Sequence, residues 1–343
     1  MRAMILKSVA PLSENPAPLE LVEWPDPVPG AGEVLIGVSV CGICHTELDE
    51  IEGRTPPPYF PMIPGHQVVG HIEAVGEGVP DLIIGGRVGV AWIYSACGTC
   101  RFCLRGEENL CPDFRATGRD ANGGYAELMT VPASFTYPIP DLFGDAEAAP
   151  LLCAGAIGYR SLRLTGLING QNLGLTGFGA SAHLVLQMVR HSFPDTKIFV
   201  FARQEEERAF ARNLGAHWAG DTMDHAPEQL HAVIDTTPAW LPIVAALQNL
   251  EPGGRVVINA IRKEAGDKEA LLRLEYPEHL WMEKEIKSVA NITRTDVQEF
   301  LKLAAEIPLQ PEIREYPLED ANKALLEMKN THIKGAKVLR VRS

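Results

Sequence analysis

Four cysteines crowd into one stretch of the chain: Cys97, Cys100, Cys103 and Cys111, in the pattern C-x2-C-x2-C-x7-C. Four thiolates at this spacing can close a tetrahedron around Zn2+ and leave no position for substrate, so the expected role is structural. Of the other three cysteines, Cys41, Cys44 and Cys153, the last two flank a lone Pro64-Gly65-His66. That allows a second, more open Cys/His/Cys site. Two thiolates and a neutral imidazole would cancel the charge of Zn2+ and leave a fourth position for water or an alcohol oxygen. A metal there would lower the pKa of an alcohol, whose hydride could then pass from carbon to a nicotinamide ring. Taken singly, Cys44 and Cys153 could be small buried hydrophobes and His66 an ordinary core histidine. Their joint presence is what favours a metal site.

A second motif points to the same chemistry. Gly177-Phe178-Gly179-Ala180-Ser181-Ala182 is G-x-G-x-x-A, and it follows an expected strand and opens an expected helix. Gly177 would permit the tight turn and Gly179 the approach of backbone to a pyrophosphate. Ala182 would keep helix and strand close, and the helix N-terminus favours the anion. The next strand ends at Phe201-Ala202-Arg203 without the acid that commonly binds the adenosine ribose of NAD. Ala202 removes repulsion against a 2′-phosphate and Arg203 could pair with it, which tilts toward NADP while leaving NAD open.

The elements that must position these residues fall into two patterns. Residues 1–150 show short β-rich runs, Ala3–Leu6, Glu33–Val40, Gln67–Val75, Arg87–Trp92 and Tyr125–Val131, separated by Gly and Pro. This predicts an irregular, mostly antiparallel domain. From about 151, strands at Asn172–Leu175, Lys197–Phe201, His231–Asp235 and Arg255–Ile258 alternate with helices at Ala154–Leu164, Ala180–Val189, Glu205–Leu214 and Leu241–Leu247. Such alternation predicts a parallel sheet covered on both faces. Helices over Asp296–Ala305 and Leu318–Met328 and a strand over Lys337–Val341 close the chain.

The bulk properties exclude several function classes. The 343 residues suffice for two domains, and the formal charge of −13 with no basic stripe argues against nucleic acid as the main partner. No apolar tract approaches the roughly 18 residues that would span a membrane. The N-terminal Met1–Lys7 reads as a first strand and lacks the apolar region of a secretory signal. An odd cysteine count with metal-like spacing suits the reducing cytoplasm better than a disulfide framework.

Cys44-His-Thr-Glu-Leu-Asp49, Pro64-Gly-His-Gln-Val-Val-Gly70, the four-cysteine lobe, Cys153-Ala-Gly155 and Gly177-Phe-Gly-Ala-Ser-Ala-His183 together resemble the zinc-containing medium-chain alcohol dehydrogenases, over nearly the whole chain. The resemblance implies a GroES-like, β-rich catalytic domain over 1–153 and a Rossmann-type cofactor domain over 154–290. Segment 291–343 would return to complete the first, with the active site between domains. It makes Cys44 the ligand and Cys41 a bystander, and gives His66 and Cys153 the other ligand positions. By resemblance Thr46 takes the alcohol proton and passes it through the nicotinamide ribose, while His45 and Lys334 lie near the pyrophosphate. The family also implies one catalytic and one structural Zn2+ per chain, NAD or NADP, and a homodimer or homotetramer.

The chain departs from that pattern in four places. Gln67 stands where Glu is common, turning the usual carboxylate near the metal into an amide. Glu47 stands where Asp is usual, with one more methylene between backbone and His66. Asp49 replaces a histidine that often ends the proton relay, and Ile157 replaces a Thr. Tyr59, Trp92 and Ile93 could line an apolar pocket suited to primary or simple secondary alcohols. A polyol or sugar dehydrogenase would need more polar groups around a larger pocket. A non-catalytic zinc and dinucleotide-binding protein would have no need of an open metal position with a proton outlet.

Overall fold

The computed structural model describes residues 1–79, 84–307, 309, 311–330 and 335–342. The chain divides into two compact units, Met1–Cys153 with Ile292–Ser343, and Ala154–Asn291.

The first unit begins with an antiparallel pair, β1 (Arg2–Leu6) and β2 (Leu19–Glu23). Its central strand is β3 (Glu33–Ile43), where Val34, Ile36, Val38 and Val40 recur with period two and are all fully buried. β-Branched residues at alternate positions are what a pleated, one-sided core selects. Helix α1 (His45–Ile51) follows at once, and β4 (Gln67–Val75) returns antiparallel to β3, so the start of α1 and the start of β4 lie at the same end of the sheet. There follow β5 (Arg87–Val90), β6 (Ile93–Ser95), β7 (Arg115–Ala116), β8 (Leu128–Pro132), β9 (Thr136–Pro138) and α2 (Asp145–Ala148).

The second unit holds α3 (Ala154–Thr165), β10 (Asn172–Thr176), α4 (Ala180–Ser192), β11 (Lys197–Phe201), α5 (Glu205–Asn213), β12 (Trp218–Gly220), β13 (Leu230–Asp235), α6 (Leu241–Asn249), β14 (Leu250–Ile258) and β15 (Glu285–Ser288). Its six strands are all parallel, in the order β12-β11-β10-β13-β14-β15. Phe199, Phe201, Val233, Leu247 and Val256 form part of its buried core. Strand order reverses between β10 and β13, the switch point at which open α/β sheets take ligands.

The C-terminal elements α7 (Arg294–Glu306), β16 (Ile313–Pro317), α8 (Ala321–Asn330) and β17 (Ala336–Arg340) belong to the first unit. β17 pairs antiparallel with β3 and parallel with β16, giving a seven-stranded sheet in which β8 also pairs with β3.

Several element boundaries differ from expectation for identifiable reasons. The run Arg87–Trp92 breaks after Val90 because Thr117 donates its N–H to Trp92 O and its hydroxyl to Ala91 O, each at 2.8 Å. Tyr125 and Glu127 precede β8 rather than extending it, since their N–H groups bond to Pro64 O and Arg2 O. β14 starts five residues early and carries a register irregularity, so Pro252-Gly253-Gly254 lies inside the strand. The helix expected from Leu318 opens as a 3-10 turn to Asp320 and becomes α8 only at Ala321. No helix among the described residues is long and apolar enough to cross a membrane.

Candidate functional site

Cys44 lies at the joint between β3 and α1. Its backbone is extended (φ −138°, ψ −177°), and its Sγ accepts the N–H of Thr46 at 3.3 Å, so the cysteine caps the helix that follows it. Glu47 completes the cap, its Oε2 accepting the N–H of Cys44 at 2.8 Å. The other carboxylate oxygen lies 2.6 Å from His66 Nδ1, with both side chains essentially inaccessible to solvent. One carboxylate therefore fixes the backbone of one candidate ligand and the ring of another. It also leaves Nε2 of His66 as the nitrogen that faces the sulfurs.

Gly65 makes this placement of His66 possible. Its φ is +99°, and a Cβ there would lie 2.3 Å from the Tyr125 ring and 2.8 Å from Cys41 Sγ. Only glycine meets both conditions. Cys153, just past a 3-10 turn over Ala149–Leu152, supplies the third donor. His66 Nε2 lies 3.6 Å from Cys44 Sγ and 3.3 Å from Cys153 Sγ, and the two sulfurs are 4.0 Å apart. A tetrahedral zinc with Zn–S near 2.3 Å and Zn–N near 2.0–2.1 Å has ligand–ligand edges of about 3.4–3.8 Å. The donor triangle fits that ion, and the sulfurs are far too distant for a disulfide. Cys41 lies apart, buried, with its Sγ 3.6 Å from Gly42 O.

The lobe at 97–111 meets the same test. Cys97–Cys111, Cys100–Cys103 and Cys97–Cys103 sulfur separations are 3.5, 3.6 and 3.9 Å, again the edges of a zinc tetrahedron. Backbone N–H groups point at the sulfurs: Cys100 to Cys97, Asp113 to Cys111 and Cys97 to Cys111, at 3.3–3.4 Å. Backbone N–H groups of Thr99 and Cys100 pull the Cys97 thiol down to about 6, whereas burial pushes Cys103 up to about 12. Glu108, inside the lobe and 4% exposed, accepts from Arg294 Nε at 2.7 Å and ties the lobe to α7.

In the open triangle the proton balance runs the other way. A hydrogen bond with Cys153, and then burial, push the Cys44 thiol well above its ordinary range. Burial works against the His66 imidazolium, but Glu47 and Cys44 outweigh it and raise the ring well above its usual value. Burial also disfavours the Glu47 anion, yet the His66 charge and hydrogen bond and the Cys44 N–H hold its carboxyl below the usual range. A metal entering the triangle must displace protons, so its affinity rises with pH.

Other expected residues are placed as follows. Thr46 is half-buried and His45 exposed at the start of α1. Gln67 is 3% exposed, its Nε2 without a hydrogen-bond partner. Asp49 is paired with Arg54 Nε at 2.5 Å, a partner that no motif singles out. The three pocket candidates lie in different settings. Trp92 is half-buried against Phe114 with ring centroids 5.0 Å apart, Ile93 is fully buried in β6, and Tyr59 is 49% exposed, its hydroxyl donating to Asp120 O. Lys334 lies outside the described residues.

In the second unit, Gly177 (φ +75°) turns between β10 and α4, where a Cβ would lie 2.9 Å from Thr236 Oγ1. Gly179 precedes α4 with no side-chain cap, and a Cβ there would meet nothing within 4 Å. The first turn of a thirteen-residue helix thus has no side chain covering its N–H groups, and Ala182 packs fully buried beneath it. That is a cradle a pyrophosphate fits. Ala202 is buried at the end of β11 and Arg203 is exposed beside it. Sequence reasoning missed a buried pair at the switch point. Asp235, fully buried, accepts from Thr176 Oγ1 and Thr237 Oγ1 and pairs with Lys263 Nζ, which also donates to Thr237 O and Ala239 O. Neither residue belongs to a short motif, and their partnership depends on strand order.

A β-rich unit with a Cys/His/Cys triangle and a four-thiol lobe, joined in one chain to a parallel-sheet unit with a glycine turn, defines a metal-dependent dehydrogenase of the medium-chain type. Residues 30–141 match the alcohol dehydrogenase GroES-like domain family. The chain is 42% identical over 327 residues to a probable alcohol dehydrogenase, AdhA, of Mycobacterium tuberculosis (strain CDC 1551 / Oshkosh), covering 94% of this chain and 92% of that protein. It is 32% identical over 342 residues to an alcohol dehydrogenase of Geobacillus stearothermophilus, covering 97% and 98%. The fold matches a cobalt- and zinc-bound thermostable alcohol dehydrogenase from Pyrobaculum aerophilum with a TM-score of 0.87 at 24% identity, covering 99% of each chain. The chain belongs to the zinc-containing medium-chain alcohol dehydrogenase family.

Glu47→Gln removes the charge that orients His66 while keeping its size. Zinc affinity at the Cys44/His66/Cys153 site should fall about 10–100-fold, measured by chelator competition, with the four-cysteine site unchanged. Equal affinities would refute the orienting role.

Proposed function

We propose that the chain is a zinc-dependent, NAD(P)-linked alcohol dehydrogenase in which Cys44, His66 and Cys153 hold the catalytic metal and Cys97, Cys100, Cys103 and Cys111 a structural one. The observation that carries this reading is the donor triangle, with edges of 3.3, 3.6 and 4.0 Å. Zinc supplies Lewis acidity toward an oxygen substrate, and the nicotinamide supplies the hydride acceptor. The work of the chain's own residues is to orient and to move a proton. Glu47 fixes His66 and Cys44. The Thr46 hydroxyl accepts the alcohol proton at Oγ1 and passes it toward the cofactor ribose, and His45 binds near the pyrophosphate.

The proton's onward route differs from a histidine-ended relay. Asp49 is 4% exposed and held by Arg54, so its carboxylate is engaged in an ion pair. Transfer from Thr46 to solvent through the ribose is the route consistent with that pairing. Gln67 leaves an amide where the family often has a carboxylate, and its buried, unpartnered Nε2 offers a donor in place of a charge. Trp92, its ring against Phe114, would present an apolar face to substrate and favour primary or simple secondary alcohols.

For the cofactor, Ala202 and the exposed Arg203 favour a 2′-phosphate, hence NADP. Arg208, bonded to Ala202 O at 2.7 Å and to Arg203 O at 3.0 Å, stiffens the turn that presents them. The chain also self-associates in this reading. β15 is an edge strand of the parallel sheet with all four residues exposed, and Trp281, Met282 and Ile286 are 54%, 52% and 44% exposed nearby. An unpaired edge flanked by apolar side chains is suited to pairing with a second copy.

Two measurements check these assignments. Ala202→Asp should shift the ratio of kcat/KM values toward NAD by at least about tenfold, by repelling the 2′-phosphate, and an unchanged ratio would place the ribose site elsewhere. Ile286→Lys should convert the oligomer to smaller species by light scattering while leaving the fold intact, and an unchanged mass would exclude that edge.

A further inference from the structure

The carboxyl ends of β10, β13 and β14 stand level with one another, Thr176 opposite Asp235 and Asp235 opposite Ile258. The chain leaves the three strands there, through Gly177, Thr236 and Asn259. Hydrogen bonds stitch these exits together. Thr236 donates its N–H and its hydroxyl to Thr176 O, both at 3.0 Å, and Asn259 donates its N–H to Asp235 O at 2.7 Å.

An ion pair sits at the centre of this edge. Asp235 Oδ1 accepts the hydroxyls of Thr176 and Thr237 at 2.6 and 2.8 Å, and its other oxygen pairs with Lys263 Nζ. An ammonium group has three protons to donate, and the other two go to Thr237 O at 2.8 Å and Ala239 O at 2.9 Å. The loop that carries Lys263 adds further ties. Glu264 donates its N–H to Pro238 O at 2.7 Å, and Asp267 Oδ2 accepts the N–H groups of Trp240 and Leu241 at 2.9 and 2.8 Å. Residues 236–240 are thus held in place by the loop that follows β14.

Stability alone does not account for this arrangement. The Asp235 side chain is fully buried and that of Lys263 is 8% exposed. A buried ion pair recovers little more than its lost solvation, and well-packed apolar side chains commonly do as well. What an apolar pair cannot do is fix a strand end and two carbonyls of the loop beyond it at once. The loop's position gives that a use. A Cβ on Gly177 would be 2.9 Å from Thr236 Oγ1 and 3.0 Å from Thr237 Cγ2, so the loop stands directly against the glycine turn. Strand order sets what passes over it. The adenosine half belongs at the end of β11 and the pyrophosphate at the turn after β10. Continuing along β11-β10-β13-β14, the rest of a dinucleotide comes onto the ends of β13 and β14.

We propose that Asp235 and Lys263 are positioning residues that hold the 236–240 loop as the wall of the cofactor crevice on its nicotinamide side. The inference rests on the dinucleotide reading of the glycine turn above. A loop fixed before the cofactor arrives need not be ordered on binding, so the pair acts on affinity for the whole dinucleotide. The adenosine and pyrophosphate positions, on the other side of the turn, do not depend on it.

The test is calorimetric binding to the zinc-replete full chain. The probes are NAD+ and NADP+, and ADP with and without a 2′-phosphate, which lacks the nicotinamide half. Removing Lys263 alone would strand a buried carboxylate. The variant is therefore the double Asp235→Asn/Lys263→Met, which removes both charges and keeps Oδ1 as acceptor for the two hydroxyls. Its affinity for the preferred dinucleotide should fall about tenfold, with affinity for the matching ADP unchanged within about threefold. Equal losses on both probes would reduce the pair to general support of the fold, and an undiminished dinucleotide affinity would exclude the role; either overturns the proposal. Where the double variant does not fold, the wild type decides by amide hydrogen exchange. The dinucleotide should slow exchange across 236–240 and ADP should not, and equal protection by both, or none by the dinucleotide, overturns the proposal. A wild type that bound no dinucleotide would instead refute the cofactor reading, and this inference with it.

Discussion

One buried carboxylate organises the first unit's candidate chemistry. Glu47 accepts the N–H of Cys44 with one oxygen and meets His66 Nδ1 with the other, at 2.8 and 2.6 Å. The two ligands lie 22 residues apart, one just after β3 and the other just before β4. Holding both through one side chain turns a loose set of donors into a triangle of defined size, because the ring orientation and the cap of α1 are set together. The cost is a buried ionic pair, and such pairs are sustained only when geometry and hydrogen bonding compensate for lost solvation. Here the close approach to His66 Nδ1 and the Cys44 N–H on the other carboxylate oxygen offset that loss.

The sheet around it supplies the precision. β3 and β4 are antiparallel, with Gly42 opposite Gln67 and Cys41 opposite Val68 at the end nearest the site, so the residue after one strand and the residue before the other emerge at the same end. Gly65 lets the chain turn into β4 against Tyr125, and a Cβ there would displace His66 from the pair. β17 pairs with the last residues of β3, Lys337 with Ile43 and Val338 with Gly42, so the C-terminal segment supports the strand that delivers Cys44. In the second unit the glycine turn lies at the switch point of a parallel sheet, where the Asp235–Lys263 pair binds the loops after β13 and β14 together.

Much of this was legible in the sequence because it is local. The C-x2-C-x2-C-x7-C spacing places four sulfurs on consecutive tight turns, and G-x-G-x-x-A is a strand–turn–helix written in adjacent residues. The β-branched period of Val34–Val40 and the alternation of strands and helices after Ala154 are local signals too. What escaped was what depends on tertiary neighbours. Arg54 lies five residues beyond Asp49, and nothing in its type announced the ion pair. Lys263 and Asp235 meet only because β13 and β14 are adjacent. Strands β12, β15 and β16 are three to five residues long and hold at most one buried residue each, so they carry no core-facing pattern. Ile93 lies buried in β6, a strand of three residues too short to show a period in the sequence.

If the proposed Cys44/His66/Cys153 triangle holds a zinc on which alcohol oxidation depends, zinc content and turnover must fall together. Zinc per chain is to be measured alongside alcohol-dependent NAD(P)H formation, for wild type and Cys44→Ser, with cofactor binding followed in parallel by fluorescence. Wild type should carry two zincs and turn over. Cys44→Ser should lose turnover and lose or markedly weaken one zinc, with cofactor binding preserved. A variant that kept full activity would contradict the assignment outright, as would a wild type that turned over alcohol with only the four-cysteine site loaded.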